Sequence, residues 1–254
     1  MGMDDLSNGI IAKNNMVDRS GLRRRLHKII IFENKISETS PVMKEKNLEL
    51  ERLVFFSDAV VAIAITLLAL DLRLENISGA TLQFSDLAHV WKKFSAFLLS
   101  FLLIALFWLN HHQYFAHIRK IDEPLVWFNV LWLLFIITLP FSTSVVSAYF
   151  KQTASTFIYS LNILMVTVCQ NVIWDYVAVR PDYLKEDTDP KLIRDFRIYA
   201  NVAQVNGLIA VGLSFISPLL AFIILFTRPA MKRLTDLILV LMKTKRTKDT
   251  HRSS

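Results

Sequence analysis

The stretch RLVFFSDAVVAIAITLLALDL, residues 52–72, decides the fold of this chain. It is almost continuously apolar for the roughly 20 residues that a helix needs to cross a bilayer, yet it keeps a carboxylate at Asp58. An ionisable side chain inside a membrane helix costs at least about 2.5 kcal/mol on insertion scales, so it normally faces the bundle and is paired. Arg52 is six residues away and lies on another face of the helix, so the partner of Asp58 must come from another helix.

The rest of the chain is also strongly apolar. Its 254 residues are 53% hydrophobic, with a mean hydropathy of +0.39, which is too apolar for an ordinary soluble domain. Six segments are predicted to cross the membrane, the last of them the weakest: 53–72, 94–115, 125–146, 157–177, 198–216 and 217–241. The predicted fold is therefore an all-α integral membrane protein with six transmembrane helices.

The distribution of Lys and Arg predicts the orientation. With six spans and a cytoplasmic N-terminus, 25 of the 29 basic residues lie inside, and the four outside are Arg73, Lys92, Lys93 and Lys151. Without the sixth crossing the division would be 17 against 12. The bias thus predicts cytoplasmic N- and C-termini, and Arg228 in the sixth segment is expected to extend its head group to the interface.

Three parts are expected along the chain. Residues 1–50 form a basic cytoplasmic segment that is largely disordered, residues 51–241 form the six-helix membrane domain, and residues 242–254 form a basic tail. The net charge of +7 is attributed to topology and to anionic lipid, not to nucleic acid. Cys169 is the only cysteine and lies in the fourth span, so a zinc site built on cysteine pairs is excluded.

Polar residues recur at one depth, toward the cytoplasmic ends of the spans. They are expected to form a belt of hydrogen bonds between helices, with His111 or His112 as the partner of Asp58. The alternative is that the belt relays protons or ions. Its members are Asp58, Asn110, His111, His112, Asn129, Gln170, Asn171, Asn201, Gln204 and Asn206.

The far part of the first span carries a different pattern. Ile63, Leu67 and Leu70 are spaced i, i+4, i+7 and form one helical stripe, with Thr66 beside them. Composition alone does not separate a pore lining from a packed seam. An enzyme is not expected, because HHQYFAH, residues 111–117, lacks the HExxH arrangement. A proton-coupled secondary transporter that uses Asp58 and the histidines is the alternative to a channel.

Three short motifs resemble those of a known family. Arg52, followed three residues later by Phe56-Ser57-Asp58, resembles the first-helix signature of the TMEM175 family of potassium channels. FWLNHHQYF, residues 107–115, and LPF, residues 139–141, are similar to segments of its prokaryotic members. The likeness extends over about residues 50–228.

The resemblance implies a potassium-selective leak channel, built as a homotetramer in the plasma membrane of a prokaryotic cell. The first helix of each subunit would line the pore, potassium would be the permeant ion, and no cofactor or metal would be needed. The constriction would fall on Ile63, with Thr66, Leu67 and Leu70 along the same pathway. The residues implied in locking the pore helices are Arg52, Phe56, Ser57, Asp58, His111, His112 and Asn129.

Overall fold

The computed structural model describes residues 41–70, 72, 84–228, 230, 231 and 235, without the side chains of residues 41–47, 84–90 and 92. The chain divides into two units, Met1–Leu48 and Glu49–Ser254. In the first unit, residues 41–48 are helical. Most of the predicted N-terminal segment, residues 1–40, and the whole predicted tail, residues 242–254, lie outside the described residues.

The described residues form six α-helices and one turn of 3₁₀-helix. The helices are α1 Pro41–Ala69, α2 Phe84–His117, α3 Glu123–Ala148, α4 Thr153–Ala178, α5 Pro190–Ser214 and α6 Pro218–Phe226, and the 3₁₀ turn is Pro181–Tyr183. Four segments within α1 to α4 are long and apolar enough to cross a membrane: Leu48–Ala69, Lys93–His117, Glu123–Ala148 and Thr153–Ala178. The chain is therefore a helical, multi-pass membrane protein. Helices also form at the predicted fifth and sixth segments, but their crossing of the membrane stays a prediction.

The fourth helix is the centre of the packing. It contacts α3 on one side and α5 on the other, and α5 in turn packs against α6. Large side chains in these contacts are fully buried, among them Trp132, Tyr159 and Trp174. Of these four spans, the one in α1 is covered least. Within its most apolar window of 18 residues 22% are buried in the subunit, against 61% in α4. Much of the surface of α1 is therefore left for lipid or for another subunit.

A cluster around Asp122 joins the start of α3 to the end of α4. The Asp122 carboxylate caps α3 by accepting from the backbone N–H of Leu125 at 3.1 Å, and it accepts from the hydroxyls of Tyr176 at 2.5 Å and Tyr183 at 2.8 Å. Burial raises the pKa of Asp122, but these hydrogen bonds and the charge of Arg180 outweigh it and hold the pKa below its usual value. The same hydrogen bond raises the pKa of Tyr183 to about 12. The cluster fixes the α2–α3 connection against α4.

The turn between α5 and α6 follows from its local sequence. Ser217 caps α6 by accepting from the N–H of Leu220, and Pro218 occupies the first turn, where a missing N–H costs nothing. Gly207 allows α5 to approach α4 closely, since a Cβ at this position would lie 3.1 Å from Leu164 Cδ1. Only residues 215–217 separate α5 from α6.

Candidate functional site

The first helix has one covered and one uncovered face. Val61, Ala64 and Leu68 are at most 2% exposed and contact the rest of the subunit. On the other face lies a row that we call the stripe, Ile63, Thr66, Leu67 and Leu70. Its three apolar members are 57%, 43% and 58% exposed, in that order. The periodicity predicted from the sequence is therefore a face of α1 that the described part of its own subunit leaves open.

The Arg52–Asp58 motif is divided between these two faces. Arg52 lies about three helical turns before Ile63 and Phe56 about two, which puts both on the face of the stripe. Both are exposed, and Arg52 forms no hydrogen bond or ion pair with any described residue. Ser57 points the other way and is fully buried, while Asp58 lies at the border between the faces.

A directed chain of hydrogen bonds joins Ser57 to α2 and α3. The Ser57 hydroxyl donates to the carbonyl of Leu53 at 2.8 Å, so its oxygen accepts from Asn129 Nδ2, also at 2.8 Å. The side-chain oxygen of Asn129, Oδ1, accepts from His111 Nε2 at 2.8 Å. Because Ser57, Asn129 and His111 are each at most 1% exposed, this chain ties three helices together where water cannot replace the bonds.

The His111 ring is held between two aromatic planes. Its centroid lies 4.3 Å from that of Phe115 and 4.3 Å from that of Trp132, both in stacked geometry. With the proton on Nε2 engaged by Asn129, Nδ1 is buried without a partner. Since the chain of donors ends on the backbone carbonyl of Leu53, it has no group that could pass a proton onward. The arrangement suits a structural connection between helices.

The partner of Asp58 is a tryptophan. The Trp108 indole donates from Nε1 to Asp58 Oδ1 at 2.8 Å. The expectation of a hydrogen bond from His111 or His112 was wrong: His111 is engaged by Asn129, and His112 is exposed with its ring centroid 5.8 Å from that of Trp108. The indole is the better donor here because it is amphipathic and carries no charge into the bilayer.

Trp108 could have been found in the sequence. It precedes His111 by three residues and His112 by four, so it shares their helical face in FWLNHHQYF. A buried indole N–H needs an acceptor, and Asp58 was the carboxylate expected at that depth.

The remaining polar residues do not extend this chain within the described residues. Gln170 donates to the carbonyl of Phe107 at 2.8 Å, which connects α4 to α2, and Asn171 donates to Asn201 at 3.3 Å, which connects α4 to α5. Asn206 donates to the carbonyl of Ile224 at 3.1 Å. The predicted belt is thus one chain that joins α1, α2 and α3 and several separate contacts between other helix pairs, not one network.

Arg228 also differs from its prediction. Its Nη2 donates to Thr167 Oγ1 at 2.6 Å and to the carbonyl of Ala203 at 3.2 Å, so the guanidinium lies between α4 and α5. Thr167 is near the middle of α4, far from either helix end. The head group therefore points into the bundle and does not extend to the interface.

Comparisons with known proteins agree on one family. A family model described as "Endosomal/lysosomal potassium channel TMEM175" matches residues 52–140. A potassium channel of Streptomyces collinus is 29% identical over 170 residues, which cover 65% of this chain and 82% of that protein. The crystal structure of a lysosomal potassium-selective channel TMEM175 homolog from Chamaesiphon minutus matches with a TM-score of 0.64 and 27% identity, covering 74% of this chain and 97% of that one.

The chain is thus similar to proteins of the TMEM175 family. The matched residues 52–140 contain the Ser57–Asn129–His111 chain, the Asp58–Trp108 pair and the stripe. Arg228 lies outside them. The bovine endosomal/lysosomal proton channel TMEM175 is 37% identical over 110 residues, but these cover only 23% of that longer protein. The family model therefore matches most of α1, all of α2 and most of α3.

Proposed function

We propose that this chain is one subunit of a potassium-selective leak channel, a homotetramer in which four copies of α1 surround one pore. The observation that carries the proposal is the open stripe of α1, whose apolar members are at least 43% exposed while Val61 and Leu68 behind it are buried. The Streptomyces relative and the Chamaesiphon structure are described as potassium channels. Both are matched over most of their own length.

The side chains beside the stripe favour contact with protein over contact with lipid. Ala59, Ala62 and Ala69 are also exposed on α1. Small residues are enriched where membrane helices approach each other, because they let the backbones come close. An exposed Arg52 at the start of the same face is costly toward lipid, and a neighbouring subunit would supply its partners. In the tetramer, Arg52 and Phe56 would thus lock one pore helix against the next.

The proposed topology has six crossings, with both termini in the cytoplasm. It is supported by the distribution of basic residues and by the turn at Ser217, which separates α5 from α6. Residues 51–241 would be the channel domain, flanked by basic segments 1–50 and 242–254 near anionic lipid. In a prokaryotic cell the channel would lie in the plasma membrane.

Conduction through such a pore follows from its side chains. Ile63 to Leu70 cover about 10 Å of helix, so three apolar rings, each of four side chains, would form the constriction there. Thr66 donates its hydroxyl proton to the Ile63 carbonyl at 2.8 Å, which leaves the oxygen lone pairs free to accept a cation. Four such oxygens would replace part of the hydration shell, which potassium gives up more readily than sodium. Selectivity should therefore exist but be moderate.

Currents from purified protein in planar bilayers would test this function. With potassium on one side and sodium on the other, and equal pH, the reversal potential is expected to lie toward the potassium equilibrium potential. It should stay there when the pH of both sides is changed together by one unit. A reversal potential that follows only an imposed proton gradient would contradict potassium selectivity. Potassium flux that requires a proton gradient would favour the transporter alternative.

The transporter alternative has lost its main support. It required Asp58 and the span-two histidines to exchange protons. The donor to Asp58 is instead the indole of Trp108, which does not titrate, and His111 is engaged by Asn129. No observation among the described residues favours it over a channel.

Crosslinking would test where α1 lies. Cys169 is the only cysteine and is buried, so Cys169→Ser gives a background free of other thiols. In that background Ile63→Cys is expected to give disulfide-linked dimers under mild oxidation, because four copies would meet near the axis. Val61→Cys is the matched control, since it lies on the covered face and should stay uncrosslinked. Equal crosslinking of both variants, or of neither, would contradict the proposed pore.

A further inference from the structure

A cavity of about 140 Å³ lies between α2, α4, α5 and the residues that follow α6. Its walls are mostly apolar, with polar side chains from Gln113, Gln170 and Asn171. The volume has room for a small ion together with several waters. None of the lining residues is on α1, so the cavity is separate from the proposed pore.

Arg228 is the only charged side chain among the described residues that line this cavity. Its guanidinium uses Nη2 for Thr167 and Ala203 and lies 5.0 Å from the ring centroid of Phe107. Nη1 is buried and has no hydrogen-bond partner. No described carboxylate is within ion-pairing distance of it. A positive charge among apolar helices thus has no counter-charge from the described residues and lacks part of its hydrogen bonding.

Such a charge is costly to keep. An unpaired ion inside a protein loses several kcal/mol of hydration, and intramembrane arginines normally have a partner. Thr167, Ala203 and Phe107 offer a hydroxyl, a carbonyl and a ring, none of which carries a full negative charge. No described residue supplies a negative charge near Nη1.

A second unpartnered group lies in the same cavity. Asn171 is 7% exposed and lines the cavity, and its Oδ1 has no hydrogen-bond partner. A buried amide oxygen without a donor is costly in the same way as an unpaired N–H. Because this oxygen is itself buried, the amide would turn slightly to accept from water bound beside an anion in the cavity.

We propose that this cavity is a binding site for a small monovalent anion, with Arg228 as its cationic ligand. One negative charge balances the single described positive charge of the walls, whereas a divalent anion would leave a net charge in the bundle. The ligand is either a free inorganic anion such as chloride or the carboxylate of a fatty acid. In both cases the anion accepts hydrogen bonds from the guanidinium.

The cavity is elongated along α2. The cavity follows α2 from Leu103 to Tyr114, a rise of about 16 Å. Tyr114 is within one turn of the end of α2 at His117, so the cavity reaches from near that end to the depth of Arg228.

Thermal unfolding of the full-length protein in detergent would test the site. Tm would be measured in sodium chloride, bromide or nitrate and in sodium gluconate, all at one ionic strength, and in gluconate with added oleate. A site filled at ten times its Kd should raise Tm by roughly 3–6 °C over gluconate. A rise with the inorganic anions identifies a free anion as the ligand, and a rise with oleate alone identifies a lipid-borne carboxylate.

Variants separate this site from general salt effects. Arg228→Gln is expected to abolish the dependence of Tm on the anion. Arg197→Gln is the matched control, because Arg197 follows the cavity-lining Phe196 on α5 but is half-exposed and already paired with Asp175 at 2.7 Å. This variant should keep the dependence of Tm on the anion. Equal dependence in both variants would assign the effect to another place and overturn the proposal.

A measurement on the unmodified protein covers the case in which Arg228→Gln does not fold. Crystals grown with bromide or with brominated fatty acid should give an anomalous peak beside the Arg228 guanidinium. A Tm that is equal in all salts and in oleate, together with no peak at that position, would overturn the proposal. That result would leave the pore proposal untouched, because α1 takes no part in the cavity.

Discussion

The two ends of α1 are stabilised in opposite ways. Near Ser57 the helix is held by the chain of hydrogen bonds to α2 and α3, and Asp58 accepts a hydrogen bond from Trp108. From Ile63 onward the described subunit covers one face only. In a bilayer, apolar contact between helices gains little over contact with lipid, so directed polar bonds fix the position of a helix. The end with those bonds sets where α1 stands, and its apolar end is left free to meet other copies.

The largest effect is expected from breaking the polar end at its centre. Asn129→Leu removes the donor to Ser57 and the acceptor of His111, which leaves His111 Nε2 buried without a partner and Ser57 with only its bond to the Leu53 carbonyl. The loss is about 2–5 kcal/mol of unfolding free energy, or roughly 5–15 °C in Tm, measured on the detergent-solubilised protein. Asn201→Leu is the control, because Asn201 is exposed and has one long contact. Equal Tm values for the two variants would remove the chain's structural role.

A smaller effect is expected at the Asp58–Trp108 pair. Trp108→Phe leaves the Asp58 carboxylate without its described donor and should cost about 1–3 kcal/mol. Asp58→Asn keeps an oxygen for the indole and loses only the charge assistance, so about 1 kcal/mol or less is expected. Size-exclusion profiles and Tm of both variants measure the difference. A larger loss in Asp58→Asn would mean that its charge acts on a group other than Trp108.

At the apolar end of α1, changing the polarity of the Ile63 side chain without changing its shape tests the proposed constriction. Ile63→Asn should wet the proposed constriction, raise the single-channel conductance roughly fivefold, a barrier change of about 1 kcal/mol, and lower the preference for potassium over sodium. Ile63→Leu keeps an apolar side chain of the same size and should change neither quantity much. Currents in mixed potassium and sodium give both. An Asn variant that conducts like the Leu variant would take Ile63 out of the pathway.

The fold was predictable from the sequence because bilayer thickness limits the length of apolar runs. The runs at 94–115 and 125–146 became α2 and α3 with ends displaced by ten residues or fewer. The stripe was predictable for a similar reason, since helical period alone puts Ile63, Leu67 and Leu70 on one face. These features depend on spacing along one helix, which the sequence states directly.

The pairings between helices were less predictable. Depth matching brought Asp58 near His111 correctly, but three candidate donors of α2 share that depth, and rotation of the helix decides which one reaches the carboxylate. The prediction for the Arg228 head group was wrong for a related reason, because the side chain is long enough to reach either the interface or the bundle. The packing of α6 against α4 and α5 brings it to Thr167.

The smallest effect is expected at Thr66, where one oxygen per subunit changes. Thr66→Ala removes the hydroxyl from the stripe, and the potassium-to-sodium permeability ratio should fall roughly two- to threefold, less than 1 kcal/mol. Stability should hold, because the side chain is exposed and alanine favours the helix. Thr66→Ser keeps the oxygen and should keep the ratio. Reversal potentials of the two variants therefore isolate the hydroxyl from the methyl group. If both lowered the ratio equally, the methyl packing of Thr66 would matter and its oxygen would not contact the ion.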